Sequence, residues 1–156
     1  MNNKLENFFN KELTPRLKDL LIVKGEDGSY HLFGKYKITQ DANGYYIVCD
    51  RKQEGQELRF GSLRHAVTYC VFEKNNRKDY NKRVVELDDK IISLEAAIAM
   101  HKKLLTSKKP LGDKLIFLTK LEEEKRKKRK LSEEMDVYIE TSKRWQHKIY
   151  QENSPR

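Results

Sequence analysis

The sequence predicts an α+β protein: a small three-stranded antiparallel sheet with a packed helix, followed by a long antiparallel coiled-coil helical hairpin. Three observations support that reading. Two apolar-rich runs, "YHLFGKYKIT" and "YYIVCDR", flank Asn43-Gly44, a dipeptide that favours the tight turn of a β-hairpin. A mostly apolar seam then recurs at alternating spacings of 4 and 3 residues from Tyr80 to Leu105, and a second such run extends from Phe117 to Ile149. Pro110 and Gly112 both fall between the runs, so the helix must stop there.

Composition agrees. The 156 residues suit one domain, or a small globular unit with an extension. Charged residues make up 37%, as do apolar ones, which is too polar for a compact ball of this length. A small core joined to a two-helix hairpin with wet outer faces fits the balance. Eight Tyr, six Phe and one Trp argue against disorder.

The elements follow in order. Residues 1–24 are expected to form an N-terminal helical arm of two pieces, with Leu5, Phe8, Phe9 and Leu13 on one side of the first. Thr14-Pro15 supplies an N-cap and a first-turn proline for the second. Residues 25–78 form the sheet-plus-helix unit: the hairpin, the short strand "ELRF", and a helix capped by Gly61-Ser62. That helix carries Leu63, Ala66, Val67, Cys70 and Val71 on one face. Alternation puts Leu32, Tyr36 and Ile38 on one sheet face and Phe33 on the other, and sets Tyr45 and Ile47 against Tyr46 and Val48. Both faces therefore read as apolar, and one helix covers only one of them. The second cover comes from this chain or from another.

Residues 79–152 form the hairpin. The first seam is Tyr80, Val84, Leu87, Ile91, Leu94, Ile98, His101 and Leu105; the second is Phe117, Leu121, Glu124, Lys128, Leu131, Met135, Tyr138, Ser142, Trp145 and Ile149. Folding about Lys109 sets Leu94 near Glu124, Leu87 near Leu131 and Tyr80 near Tyr138. The longer second arm runs past the first toward the sheet. Trp145, Ile149 and Tyr150 are then placed to cover the open sheet face. Phe8, Phe9, Phe33, Tyr46, Trp145, Ile149 and Tyr150 are the candidates for packing within the chain or on a protein partner.

The net charge of +9 is concentrated: His101 to Lys130 holds twelve Lys and Arg against four Asp and Glu, a net of +8. Within it, "KLEEEKRKKRKLSEE" (120–134) places three acids before six bases. The pairs Glu122–Arg126, Glu123–Lys127 and Glu124–Lys128 are acid-first at i, i+4, each worth about 0.2–0.5 kcal/mol on a helix. Lys125, Arg129 and Lys130 have no such partner. With Lys102, Lys103, Lys108, Lys109, Lys114 and Lys120 they make a basic tip near 102–130, the candidate contact for phosphate or an acidic surface.

No catalytic grammar is present: no phosphate-cradling GxxxxGK[ST], no HExxH, and no Cys/His set at metal-ligand spacing. The expectation is a non-enzyme with no metal and no cofactor. Cys49 and Cys70 read as buried, reduced thiols. Asp88-Asp89 reads as a solvated helix flank, and His101 as a hydrogen-bonded core residue. No apolar run approaches a membrane span, and the N-terminal stretch lacks the apolar core of a secretory signal.

Two resemblances add to this. "NGYYIVCDRKQEGQELRFGSLRHAVTY" resembles the small sheet–helix modules of integrase arm-binding domains, in which a three-stranded sheet enters the DNA major groove. That resemblance implies bases on the outward sheet face: Lys35, Lys37, Arg51 and Lys52, diluted by Asp41, Asp50, Glu54 and Glu57. "FGSLRHAVTYCVFEKNN", the heptad hairpin and "ETSKRWQHKIY" together are similar to small uncharacterised proteins of marine tailed bacteriophages. This implies a place in a viral assembly or in the infected cell, and no activity or site residue comes with it. The expected function is a structural or adaptor protein located in the virion or host cytoplasm. It would bind protein subunits through arm and head, and an acidic surface or nucleic acid through the tip. The alternative is a nucleic-acid-binding accessory protein with sequence-independent phosphate contacts.

Overall fold

The computed structural model describes residues 22–24, 27–51, 56–106 and 111–153, with the side chains of 22–24, 111 and 150–153 outside the description. Most of the proposed arm, with Phe8 and Phe9, also lies outside it. The fold is α+β, but the sheet has five strands rather than three. They are β1 (Ile22–Lys24), β2 (Tyr30–Leu32), β3 (Tyr36–Gln40), β4 (Tyr46–Asp50) and β5 (Glu57–Phe60), antiparallel and in sequential order.

Both extra strands have local causes. "YHLFGKYKIT" is two strands joined by a tight turn, because Phe33 (φ 58°) and Gly34 (φ 69°) both take the left-handed conformation. The Lys35 N–H closes that turn by donating to the Leu32 carbonyl at 3.1 Å. Phe33 is an unusual residue there, and its ring packs on the core in an edge contact with Tyr36, 6.5 Å between centroids. Residues 22–24 are strand rather than the end of a helix; the β-branched pair Ile22-Val23 lies antiparallel to β2, with Ile22 opposite Leu32. The Asn43-Gly44 turn forms as expected, with Gly44 at φ 88° and the Asp41 carboxylate accepting from the Asn43 and Tyr45 N–H groups at 2.9 Å each.

One sheet face is apolar, not two. Tyr30, Leu32, Tyr36, Ile38, Tyr46, Val48 and Phe60 are buried on it. The register sets His31, Lys37, Cys49 and Glu57 side by side on the other face, and Thr39, Ile47 and Arg59 beside them. That face is half-buried to exposed and polar enough to need no cover. Phe33 left the alternation because its turn conformation points it elsewhere.

Helix α1 (Leu63–Lys74) starts at Ser62, whose Oγ accepts from the His65 N–H at 3.2 Å. The predicted face is buried, and so are Thr68 and Phe72. Burial on both sides follows from its position: α1 touches β4 and β5 on one side and the two long helices, α2 (Lys78–Leu105) and α3 (Leu111–Asn153), on the other. Asn76, at φ 57°, makes the sharp reversal into α2.

The two long helices form the predicted antiparallel hairpin. All eight seam positions of α2 are buried or half-buried, as are the ten of α3. Near the head the pairing is as expected: Tyr80 and Tyr138 meet edge-on at 5.5 Å, and Phe72 of α1 stacks on Tyr80 at 4.8 Å. The last turns of α3 pack on α1 rather than on the open sheet face. Ile149 joins the core and Trp145 lies against it, while the Tyr150 side chain is outside the described residues. The Ser142 hydroxyl, buried at this contact, donates to Thr68 Oγ1 at 3.5 Å.

Asp88 is a correction to the solvated-flank reading: it is 1% exposed, while Asp89 is exposed. Its Oδ2 accepts the Gly61 N–H at 3.1 Å, and its Oδ1 contacts His65 Nδ1. Gly61 comes so near α2 that an added Cβ would lie 2.9 Å from Ile92 Cγ1. One carboxylate thus ties the β5–α1 corner to α2.

Candidate functional site

Helix periodicity decides where the basic run points. Successive helical residues are turned by about 100°, so six bases in a row surround α3. Lys125, Lys128 and Arg129 meet Lys102 along one groove between the long helices, over Ile98 and Ser132. Lys127 and Lys130 meet Lys90 along another, over Leu94 and Leu131. Lys102, Lys103, Lys120, Arg129 and Lys130 are exposed, and Lys114 and Lys125 are half-exposed. Lys108 and Lys109 lie outside the described residues.

The predicted self-neutralisation along α3 does not occur. Glu124 turns inward to His101, its Oε1 in contact with Nδ1, and Lys128 Nζ reaches Glu95 across the hairpin at 3.5 Å. His101 is 9% exposed and sits between Glu124 and Phe117, whose ring centroid is 6.0 Å away. Glu124 therefore faces His101 rather than Leu94. Among the described residues, none of Lys102, Lys103, Lys114, Lys120, Lys125, Arg126, Lys127, Arg129 and Lys130 makes an ion pair.

Charges nearer the head are engaged. Arg83 donates two hydrogen bonds to Glu134, from Nε at 2.5 Å and Nη2 at 2.8 Å, and a third to Glu86. Hydrogen bonding from Arg83 holds the Glu134 carboxyl below its ordinary value. On the sheet, Lys35 pairs with Asp50 at 3.6 Å and Lys37 with Asp27 at 3.1 Å. Arg51 donates to His31 Nδ1 at 2.6 Å; burial, then the charges of Arg51 and Lys37, hold that imidazole below its usual value. The sheet bases that a groove-binding module would present are thus spent on neighbours, and Lys52 is outside the described residues.

The hairpin end also exposes apolar groups. Leu115, Ile116 and Leu118 of α3 are 45–56% exposed, and Met100 of α2 is 54% exposed. The seam spacing does not reveal this cluster, because Leu115, Ile116 and Leu118 lie between the seam positions and flank Phe117.

No protein family matches the chain, and curated proteins and solved structures yield no match either.

The site thus rests on its own geometry. Among the described residues no group of His, Cys, Asp and Glu is arranged to hold a metal ion, and no helix is long and apolar enough to cross a membrane. Both cysteines are free; Cys70 is fully buried, Cys49 partly so, and burial pushes both thiols up. Neither is poised as a nucleophile, because the reactive species is the thiolate. What the hairpin end offers is an array of unpaired cations around exposed apolar side chains.

Proposed function

We propose that this protein is a non-enzymatic adaptor whose head anchors a protruding coiled coil and whose basic end contacts an anionic partner. The observation that carries this reading is the lack of ion-pair partners on nine described bases of the distal hairpin, with Lys128 the exception, set against the engaged charges of the head. A bare positive field recruits an anionic surface, and more so at low salt. Exposed Leu115, Ile116 and Leu118 beside Lys114 and Lys120 favour an acidic protein surface with an apolar centre as that partner. The sequence resemblance supports a setting within a tailed-phage assembly.

Nucleic acid is the second reading, favoured by the spread of bases over both flanks of α3. The test measures binding of a Glu-rich amphipathic peptide and of duplex and single-stranded DNA over a salt series. Wild type is compared with a variant carrying Gln at 125, 126, 129 and 130. The adaptor reading expects the peptide to bind, with a salt dependence that flattens in the variant. A steep salt slope for DNA alone favours the nucleic-acid reading. No binding of either at low salt sinks both.

A further inference from the structure

One flank of the hairpin is open where a two-helix coiled coil normally closes. In the α2 seam, Leu87, Ile91 and Ile98 are at most 8% exposed, but Leu94 between them is only half-buried. In α3, Leu121 and Met135 are buried while Leu131 is half-buried. With Glu124 turned inward to His101, Leu94 is left beside Leu131 in the lining of an open groove of about 520 Å³.

The groove has the form of a seat for a third helix. Its α2 wall is low, because Ser93 lines it and Ala97 follows one turn later. Arg83 and Glu134, each seven residues from a groove lysine, clasp the two helices together at the head end. Toward the tip the apolar line continues through Met100, 54% exposed and seven residues beyond Ser93. It reaches Ile116, 56% exposed and three turns before Lys127. From Ile116 to Lys130 the α3 side spans about 21 Å at 1.5 Å per residue, or about four turns of a partner helix.

Charge decides the occupant. Lys127 and Lys130 on the α3 wall make no ion pair among the described residues. On the α2 wall Lys90 is held by Glu86 at 3.1 Å, and Asp89 is the acid of the lining. A second copy offers the same lysines, so a symmetric pairing of this face sets like charges together. Residues 1–21 of this chain carry four Lys and Arg against three Asp and Glu, which gives no acidic surplus to meet them. Nucleic acid has the charge but no apolar stripe to lay over Leu94 and Leu131. A helix with an apolar stripe and acids along its edge satisfies both walls and floor.

Resting on the adaptor reading above, we propose that this flank binds one acidic amphipathic helix of a protein partner, completing a local three-helix coiled coil. The apolar stripe of that helix covers Leu94 and Leu131, and Glu or Asp beside the stripe meets Lys127 and Lys130.

The test uses the full chain and two acidic peptides of about 25 residues, long enough to hold a helix once bound. One carries a heptad apolar stripe flanked by Glu; the other has the same composition in scrambled order. Fluorescence anisotropy should show the striped peptide binding at least about tenfold more tightly than the scrambled one. Ser93→Trp changes no charge at an exposed site, so it should melt like wild type, yet fill the groove and weaken the striped peptide at least about tenfold. Lys127→Gln with Lys130→Gln should weaken it similarly. Lys125→Gln with Arg129→Gln removes the same charge from the other flank and should cost less than about threefold. Equal binding of the two peptides, wild-type binding by Ser93→Trp, or an equal loss from the two Gln pairs overturns the groove and leaves the adaptor reading standing. Binding of neither peptide at low salt overturns both. A wild-type dimer in sedimentation that Ser93→Trp dissociates would seat a second copy in the groove and also overturn the proposal.

Discussion

At the scale of single residues, Asp88 and Asp89 show how position overrides type. The two are adjacent and chemically alike, yet Asp88 is 1% exposed and Asp89 lies at the surface. Asp88 is tolerated inside because the Gly61 N–H and His65 Nδ1 both meet its oxygens. Asp88→Ala removes the charged acceptor that the Gly61 N–H and His65 share, so it should lower unfolding stability by about 1–3 kcal/mol in a urea titration. The same change at Asp89 should be close to neutral. This anchor was legible in principle: Asn81, Val85, Asp88 and Ile92 form a second stripe of 4, 3, 4 spacing beside the seam, all buried or half-buried. A carboxylate in that stripe masked it. Phe33 misled for the opposite reason, since alternation of faces holds only while the backbone stays extended, and its φ of 58° ends the strand.

At the scale of elements, the long helices were the most legible part, because a seam repeated over many turns cannot arise from local accident. Their extent held, and so did the Tyr80–Tyr138 contact. The layer nearer the tip shifted, because spacing alone does not say which polar groups will meet: Glu124 found His101, and Lys128 found Glu95. The Arg83–Glu134 clasp between α2 and α3 carries a pH dependence. Glu134 is held below its ordinary value of 4.5, so its contribution is fully present above that pH and is lost as pH falls through the lower, folded value. Glu134→Gln should therefore lower the urea midpoint at neutral pH, and the gap from wild type should close in acid. A gap independent of pH would mean that the clasp acts through packing alone.

At the scale of the whole molecule, α1 is the centre of the fold. A single core runs from Tyr30 and Leu32 of the sheet through α1 to Met135, Ile139 and Ile149 of α3. The hairpin is therefore rooted in the head at its base, while most of the described bases toward its far end make no ion pair. The net positive charge was legible from counting, and its concentration at one end followed from the heptads. Its small number of internal partners was not legible, since i, i+4 spacing pointed to Glu122, Glu123 and Glu124, of which Glu124 turns inward to His101 and the other two are exposed.

In the proposed role the distal hairpin, and not the sheet, is the anionic-partner surface. The direct measurement is lysine acetylation of the folded protein with and without saturating poly-L-glutamate, read by mass spectrometry. Lys102, Lys103, Lys125, Lys127 and Lys130 should lose reactivity while Lys35 and Lys37 keep theirs. Protection of Lys35 and Lys37 with the hairpin lysines unchanged would contradict it.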